Sequence, residues 1–176
     1  MPRLRSRTTS TTSLWAALRI HVRQSARIAP VKPERVAPGR KKPPFRISTR
    51  EFNRLHRRAY RAQQDEHREV CGVVLLDQQR QIRLRFVPNR LKTPYRHEMR
   101  RTDVASIAKR LDGRERILGT FHSHPLGEAK PSAADLRSGF FNGRELIYDV
   151  CAREVRLWRL VKSRRRLFEL AVRVDG

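Results

Sequence analysis

The stretch Ile117-Leu-Gly-Thr-Phe-His122-Ser-His124-Pro125-Leu-Gly-Glu-Ala-Lys-Pro131-Ser132-Ala-Ala-Asp135 constrains this chain more than any other. Ile117 to Phe121 reads as an apolar strand that runs into two histidines, and Pro125, which has no N–H to continue a ladder, stops it. Ser132-Ala-Ala-Asp135 then has the Ser-x-x-acid form that opens a helix by reciprocal side-chain capping. The gap from His124 to Asp135 holds 135 − 124 − 1 = 10 residues, enough for a loop that reverses and presents the aspartate from the first turn of the next helix.

Histidines at i and i+2 on an extended backbone project to one side, so His122 and His124 can reach a single ion at the roughly 2.0–2.1 Å of a zinc–nitrogen bond. With Asp135 as a third ligand, a tetrahedral zinc keeps an open position, the mark of a catalytic rather than a structural site. Taken alone, His-x-His is more often ordinary packing, and Asp135 could equally serve only the helix N-terminus.

Elsewhere the chain reads as alternating helix and strand. Ser48-Thr-Arg-Glu51 fits a capping box, and Phe52, Leu55, Ala59 and Tyr60 follow at helical spacing, which predicts a helix to about Gln64. Val70 to Leu76 is a short apolar run rich in β-branched residues, and Gln81 to Val87 alternates beyond a turn at Asp77 to Arg80. Val104, Ile107, Ala108 and Leu111 set a second helical stripe that Gly113 can end. Leu146 to Val150 and Val155 to Leu160 predict two strands around a tight turn, and 167–174 a last one. There is no glycine-rich phosphate loop, so the expectation is a mixed α/β sheet flanked by helices rather than a dinucleotide fold.

The 176 residues suffice for one domain with a tail. Residues 1–45 carry eleven basic side chains against the single acid Glu34, with prolines at 30, 33, 38, 43 and 44, and are expected to be a disordered basic extension to a domain at 46–176. Within the extension, residues 14–28 could form a basic amphipathic helix, as in a mitochondrial transit peptide, although a start codon assigned too far upstream would look the same. A net charge of +24 suggests weak polyanion binding through this arm. Of the 41 basic residues 7 are lysine and 41 − 7 = 34 arginine, a skew that codon usage in a GC-rich genome would also produce. Two cysteines, Cys71 and Cys151, are too few for a disulfide framework and lack zinc-knuckle spacing, which favours a reducing, cytoplasmic location. No apolar stretch approaches the ~20 residues of a membrane span.

His-x-His-Pro, the ten-residue gap and Pro-Ser-x-x-Asp together resemble the signature of the JAMM (MPN+) zinc metallopeptidases, closest to the minimal prokaryotic members. Glu69-Val-Cys71-Gly72-Val-Val-Leu-Leu resembles the upstream Glu-x-Cys-Gly segment of that family, and the likeness extends over roughly Ser48 to Leu160, including the strand with Trp158. Asp77 departs from it, since the family often has glycine there, and the short length leaves no room for the insertions of eukaryotic deubiquitinases. The resemblance implies a single MPN domain of cytidine-deaminase-like fold, with one zinc per chain on His122, His124 and Asp135. It also implies Glu69 as general base, a structural role for Cys71, and hydrolysis of a peptide or isopeptide bond. Ser132 would help stabilise the oxyanion, and the substrate would be the Gly-Gly tail of a ubiquitin-like or sulfur-carrier protein. His67 and His97 lack partners at ligand spacing and are expected to be solvated surface histidines. The rival readings are a RadC-like protein linked to DNA repair, which shares the His-x-His-Pro-x-Gly loop, and a non-catalytic MPN scaffold whose basic arm binds nucleic acid.

Overall fold

The computed structural model describes residues 43–65, 67–161 and 166–176, so the basic stretch to residue 42, with its expected helix at 14–28, lies outside the described residues. The first element is β1 (Phe45–Ser48), so the domain boundary expected between 45 and 46 falls inside a strand that the sequence did not announce. Four residues are too few for a period to show, and β1 exists because strands from distant parts of the chain flank it on both sides.

Ser48 ends β1 and caps α1 (Thr49–Gln64), its Oγ accepting from Glu51 N at 3.2 Å. The expected reciprocal bond from Glu51 is replaced by a longer-range one. Glu51 Oε1 accepts from Leu84 N at 2.6 Å, and Arg54, paired with Glu51, donates to Leu84 O at 2.5 Å. The parallel pairing of β1 with β3 (Gln81–Val87) covers only Gln81 and Ile82, and these two side chains serve Leu84 where that pairing has ended.

β2 (Cys71–Asp77) and β3 form an antiparallel hairpin. Asp77, the departure from the family pattern, closes the turn by accepting from Gln81 N at 2.8 Å, while Arg80 takes the left-handed conformation at φ 64°. An irregular segment leads to α2 (Arg101–Lys109), which ends at Arg110, short of both Leu111 and the expected glycine cap. Gly113, at φ 84°, instead turns the chain into β4 (Glu115–His124). Then follow α3 (Ala133–Ser138), a 3-10 turn at Phe141–Gly143, β5 (Arg144–Asp149) and β6 (Glu154–Val161). The single last strand expected at 167–174 is two, β7 (Arg166–Leu170) and β8 (Val172–Asp175), broken at Ala171.

The eight strands among the described residues join one mixed sheet in the order β7-β6-β5-β4-β2-β3-β1-β8. β7 and β8 lie at opposite ends of that order, yet only Ala171 separates them. One residue spans at most about 3.6 Å of extended chain, so the sheet must curl until its two edges nearly meet. Phe45 N donates to Ala171 O at 2.9 Å, so the linking residue also bonds to β1 at the start of its ladder with β8.

The period of two along the strands assigns the faces. Val74, Leu76, Phe121, Leu146 and Tyr148 pack with Leu55 and Ala59 of α1 in the main core. Val73 and Leu75 turn the other way, against Val104 of α2, and Ile147 packs with Trp158, Phe140 and Leu136 near α3. β2 is therefore covered on both faces, which is why it reads as an unbroken apolar run. Gly72 is required there: a Cβ would lie 2.1 Å from Arg85 O and 2.5 Å from a ring carbon of Phe121.

Candidate metal centre

β4 runs between β2 and β5 and carries a register shift opposite Val74 and Leu75. This bulge lets Leu118 join Phe121 in the main core, whereas strict alternation would put it on the face of His122. Beyond it Thr120, His122 and His124 share the face turned towards α2 and α3. The parallel register with β5 sets Glu145 beside Thr120 and Ile147 beside His122.

The two rings converge. His122 Nδ1 meets Glu145 Oε1 at 3.0 Å, and His124 Nδ1 meets Glu128 O at 2.7 Å. A carboxylate and a carbonyl only accept, so each Nδ1 carries the proton and each Nε2 is left with a lone pair. These two Nε2 atoms face each other at 3.0 Å, with Asp135 Oδ1 at 3.5 Å from His122 Nε2 and Oδ2 at 3.7 Å from His124 Nε2. Three electron-rich groups, two imidazoles and a carboxylate, can share such a space only around a positive charge. Donors held about 2.0–2.1 Å from a tetrahedral ion would stand roughly 3.3 Å apart, within the range of these separations. The residues present therefore fit a metal ion with an N2O donor set.

The electrostatics agree. Burial alone would push the His122 imidazole down, but its hydrogen bonds with Asp135 and Glu145 outweigh that and raise it to about 10. Burial would likewise raise Asp135, yet the bonds with His122 and His124 hold its carboxyl far below the usual range.

The capping role of Asp135 and its place beside the histidines, which the sequence left as alternatives, are compatible. Ser132 Oγ accepts from Asp135 N at 3.2 Å and Asp135 Oδ2 accepts from Ser132 N at 2.7 Å, a complete capping box. The cap that starts α3 thereby fixes the carboxylate facing the histidines. The loop before it is pinned by Trp158 Nε1 to Ala129 O at 2.7 Å and Gln63 Nε2 to Pro125 O at 2.5 Å.

Glu69 precedes β2, is 6% exposed, and lines the same cleft of about 1000 Å³ as Ser132 and the His122, His124 and Asp135 cluster. Ser123, between the histidines, holds it there: Val70 N donates to Ser123 Oγ at 3.0 Å and Ser123 N to Val70 O at 2.9 Å. Cys71 is buried, its thiol pushed up to about 12 by burial and by the nearby Glu69, Glu145 and Asp103, so it is inert as well as structural. His67 is exposed, stacked on Tyr95 with ring centroids 5.7 Å apart.

His97 corrects the sequence reading. Far from being a solvated surface residue, it is half-buried, its Nδ1 is 2.8 Å from Glu69 Oε2, and its ring stacks on His122 with centroids 4.2 Å apart. The reason lies in Asn89, which folds the irregular segment back over Glu69. Glu145, Thr120 and Ser123 were also missed. The one available signal for Glu145 was an acid at the head of an otherwise apolar strand, Glu145-Leu-Ile-Tyr.

Residues 53–161 match the family described as prokaryotic homologs of the JAB domain. A desampylase of Pyrococcus furiosus is 36% identical over 72 residues, 39% of this chain and 49% of that protein, so the chain spans about half the length of this curated relative. A JAB1/MPN domain protein of Archaeoglobus fulgidus is a looser structural likeness, at TM-score 0.45 and 17% identity over 74% of this chain and 99% of that one. The matched residues, more than half of the chain, run from within α1 to the end of β6 and take in Glu69, His122, His124, Ser132 and Asp135; the chain belongs to the prokaryotic JAB-domain family.

Proposed function

We propose that this protein is a zinc-dependent isopeptidase that hydrolyses the bond following the Gly-Gly tail of a ubiquitin-like or sulfur-carrier protein. The observation that carries the reading is the pair of Nε2 atoms 3.0 Å apart, both rings fixed through Nδ1, in the same cleft as a buried carboxylate at Glu69. The relative named desampylase supports the reaction class.

In this reading His122, His124 and Asp135 hold the ion. Zinc supplies Lewis acidity, lowering the pKa of water towards ~7 and polarising the scissile carbonyl. Glu69 takes the proton of the attacking water and returns it to the departing amine, so one carboxylate serves as base and then acid. Ser132 Oγ accepts from Asp135 N, which leaves its hydroxyl hydrogen free to donate to the developing oxyanion. Glu145 orients His122 through Nδ1, and Thr120 Oγ1 donates to Glu145 at 2.5 Å, so the carboxylate is itself held. The two thiols are free, in keeping with a reducing compartment, and among the described residues no helix is long and apolar enough to cross a membrane.

The test pairs metal content with cleavage of a Gly-Gly-tailed ubiquitin-like fusion. Wild type should carry about one zinc, His124→Ala and Asp135→Ala should lose it, and Glu69→Ala should keep it while turnover falls by roughly 10²–10⁴. A wild type that takes up no zinc when supplied with it overturns the reading.

A further inference from the structure

His97 belongs to no strand or helix, yet the backbone on either side of it is tied down. It sits near the end of the irregular segment between β3 and α2. Asn89 organises that segment through four bonds: Nδ2 donates to Glu69 O at 3.0 Å and to Arg96 O at 2.9 Å, while Oδ1 accepts from Leu91 N and Glu98 N, each at 3.1 Å. All donor and acceptor capacity of one amide is thus spent on tying the backbone at 96 and 98 to the backbone of Glu69. Arg90 N adds a bond to Glu98 O at 3.0 Å. The residue between the two tied positions is His97.

Its side chain makes a hydrogen bond and a ring stack with the centre already described. Nδ1 lies 2.8 Å from Glu69 Oε2, and a carboxylate can only accept, so the ring donates. The ring plane is inclined 20° to that of His122, at 4.2 Å between centroids. Glu69, His97 and His122 also lie close enough together to suggest a second cation site. His122 has no nitrogen to give it, since Nδ1 is engaged by Glu145 and Nε2 faces His124. The contacts of His97 are those of a brace.

We propose that His97 is a positioning residue of this site: its Nδ1–H holds one oxygen of Glu69, leaving the other for the reacting water, and its ring fixes the plane of His122. A carboxylate on a side chain with three rotatable bonds is otherwise free to swing within a cleft of about 1000 Å³. A misplacement of about 1 Å at a reacting group can cost on the order of 100-fold in rate. The inference rests on the reading of Glu69 as base, and its test separates the two.

Two substitutions divide the contacts. His97→Phe keeps a ring against His122 and removes the donor, whereas His97→Asn keeps a donor near the Nδ1 position and removes the stack. With the Gly-Gly-tailed fusion, His97→Phe is expected to lower kcat about 10- to 100-fold with KM within about twofold and zinc affinity within about threefold of wild type. His97→Asn is expected to recover most of kcat while binding zinc more weakly than His97→Phe. Nitrogen-15 NMR of the imidazoles in the zinc-loaded protein reads the hydrogen bond without substrate: His97 should be the Nδ1–H tautomer in wild type and lose that preference in Glu69→Ala. Wild-type kcat in His97→Phe, equal impairment of both variants, or an Nε2–H tautomer overturns the proposal. A zinc-loaded wild type that cleaves no such fusion counts against the isopeptidase reading instead, and the tautomer then decides the role of His97.

Discussion

The two walls of the cleft are held in different ways. His122 and His124 stand on a strand bonded on both sides, Asp135 is locked by its own helix cap, and both imidazoles are anchored through Nδ1. The opposite wall, residues 88–100, has no ladder: Asn89 and a few backbone bonds hold it, and Tyr95, which also lines the cleft, is 49% exposed. A metal ion would tolerate errors of only a few tenths of an ångström in its ligands, a demand that the laddered wall is built to meet. The other wall has only to steady two side chains, and side-chain ties suffice for that.

If the walls differ in this way, perturbing one should change metal binding and perturbing the other should change turnover. The largest effect is expected from pH. The bonds of the His122 imidazole with Asp135 and Glu145 raise it to about 10, so an ion binding at Nε2 near neutral pH would have to displace a proton. Zinc affinity, measured by chelator competition, should therefore tighten as pH rises from 6 towards 10, by up to about tenfold per unit for one displaced proton, and a flat profile would contradict the arrangement. Glu145→Gln leaves the three proposed ligands in place but weakens the acceptor at His122 Nδ1, and should loosen zinc by about 10- to 100-fold in the same assay. On the other wall, Asn89→Ala should reduce turnover with zinc retained, and lower stability by about 1–3 kcal/mol in urea unfolding through the backbone groups it strands. Loss of zinc instead would show that the walls are not separable. The smallest effect concerns Cys71, the β2 residue directly opposite His122: a native protein should react with a thiol reagent at Cys151 alone, and at both cysteines after unfolding.

The same contrast explains what the sequence could tell. His122, His124, Ser132 and Asp135 fall within one short segment in which strand alternation, a proline stop and a helix cap each act locally, so their convergence could be read. Glu145 reaches His122 only through the parallel register of β4 and β5, which no spacing in the sequence encodes. His97 reaches Glu69 through the amide of Asn89, and its polar neighbours in sequence gave the opposite impression. Helix α1 was legible to its last residue, whereas the capping partner of Glu51 was not, because the need for it arises where the β1–β3 pairing stops. Strand β1 was invisible for the same reason: its partners are distant.

The seam at Ala171 has a consequence for the order of events during synthesis. β8, the last described strand, pairs with β1, the first, and Thr49 Oγ1 adds a bond to Asp175 O at 2.6 Å. A ribosome releases β1 and α1 early, but the outer edge of β1 finds no partner until residues 172–175 have emerged. Until then the nascent domain carries an open strand edge, a surface on which a chaperone or another unfinished chain can add itself.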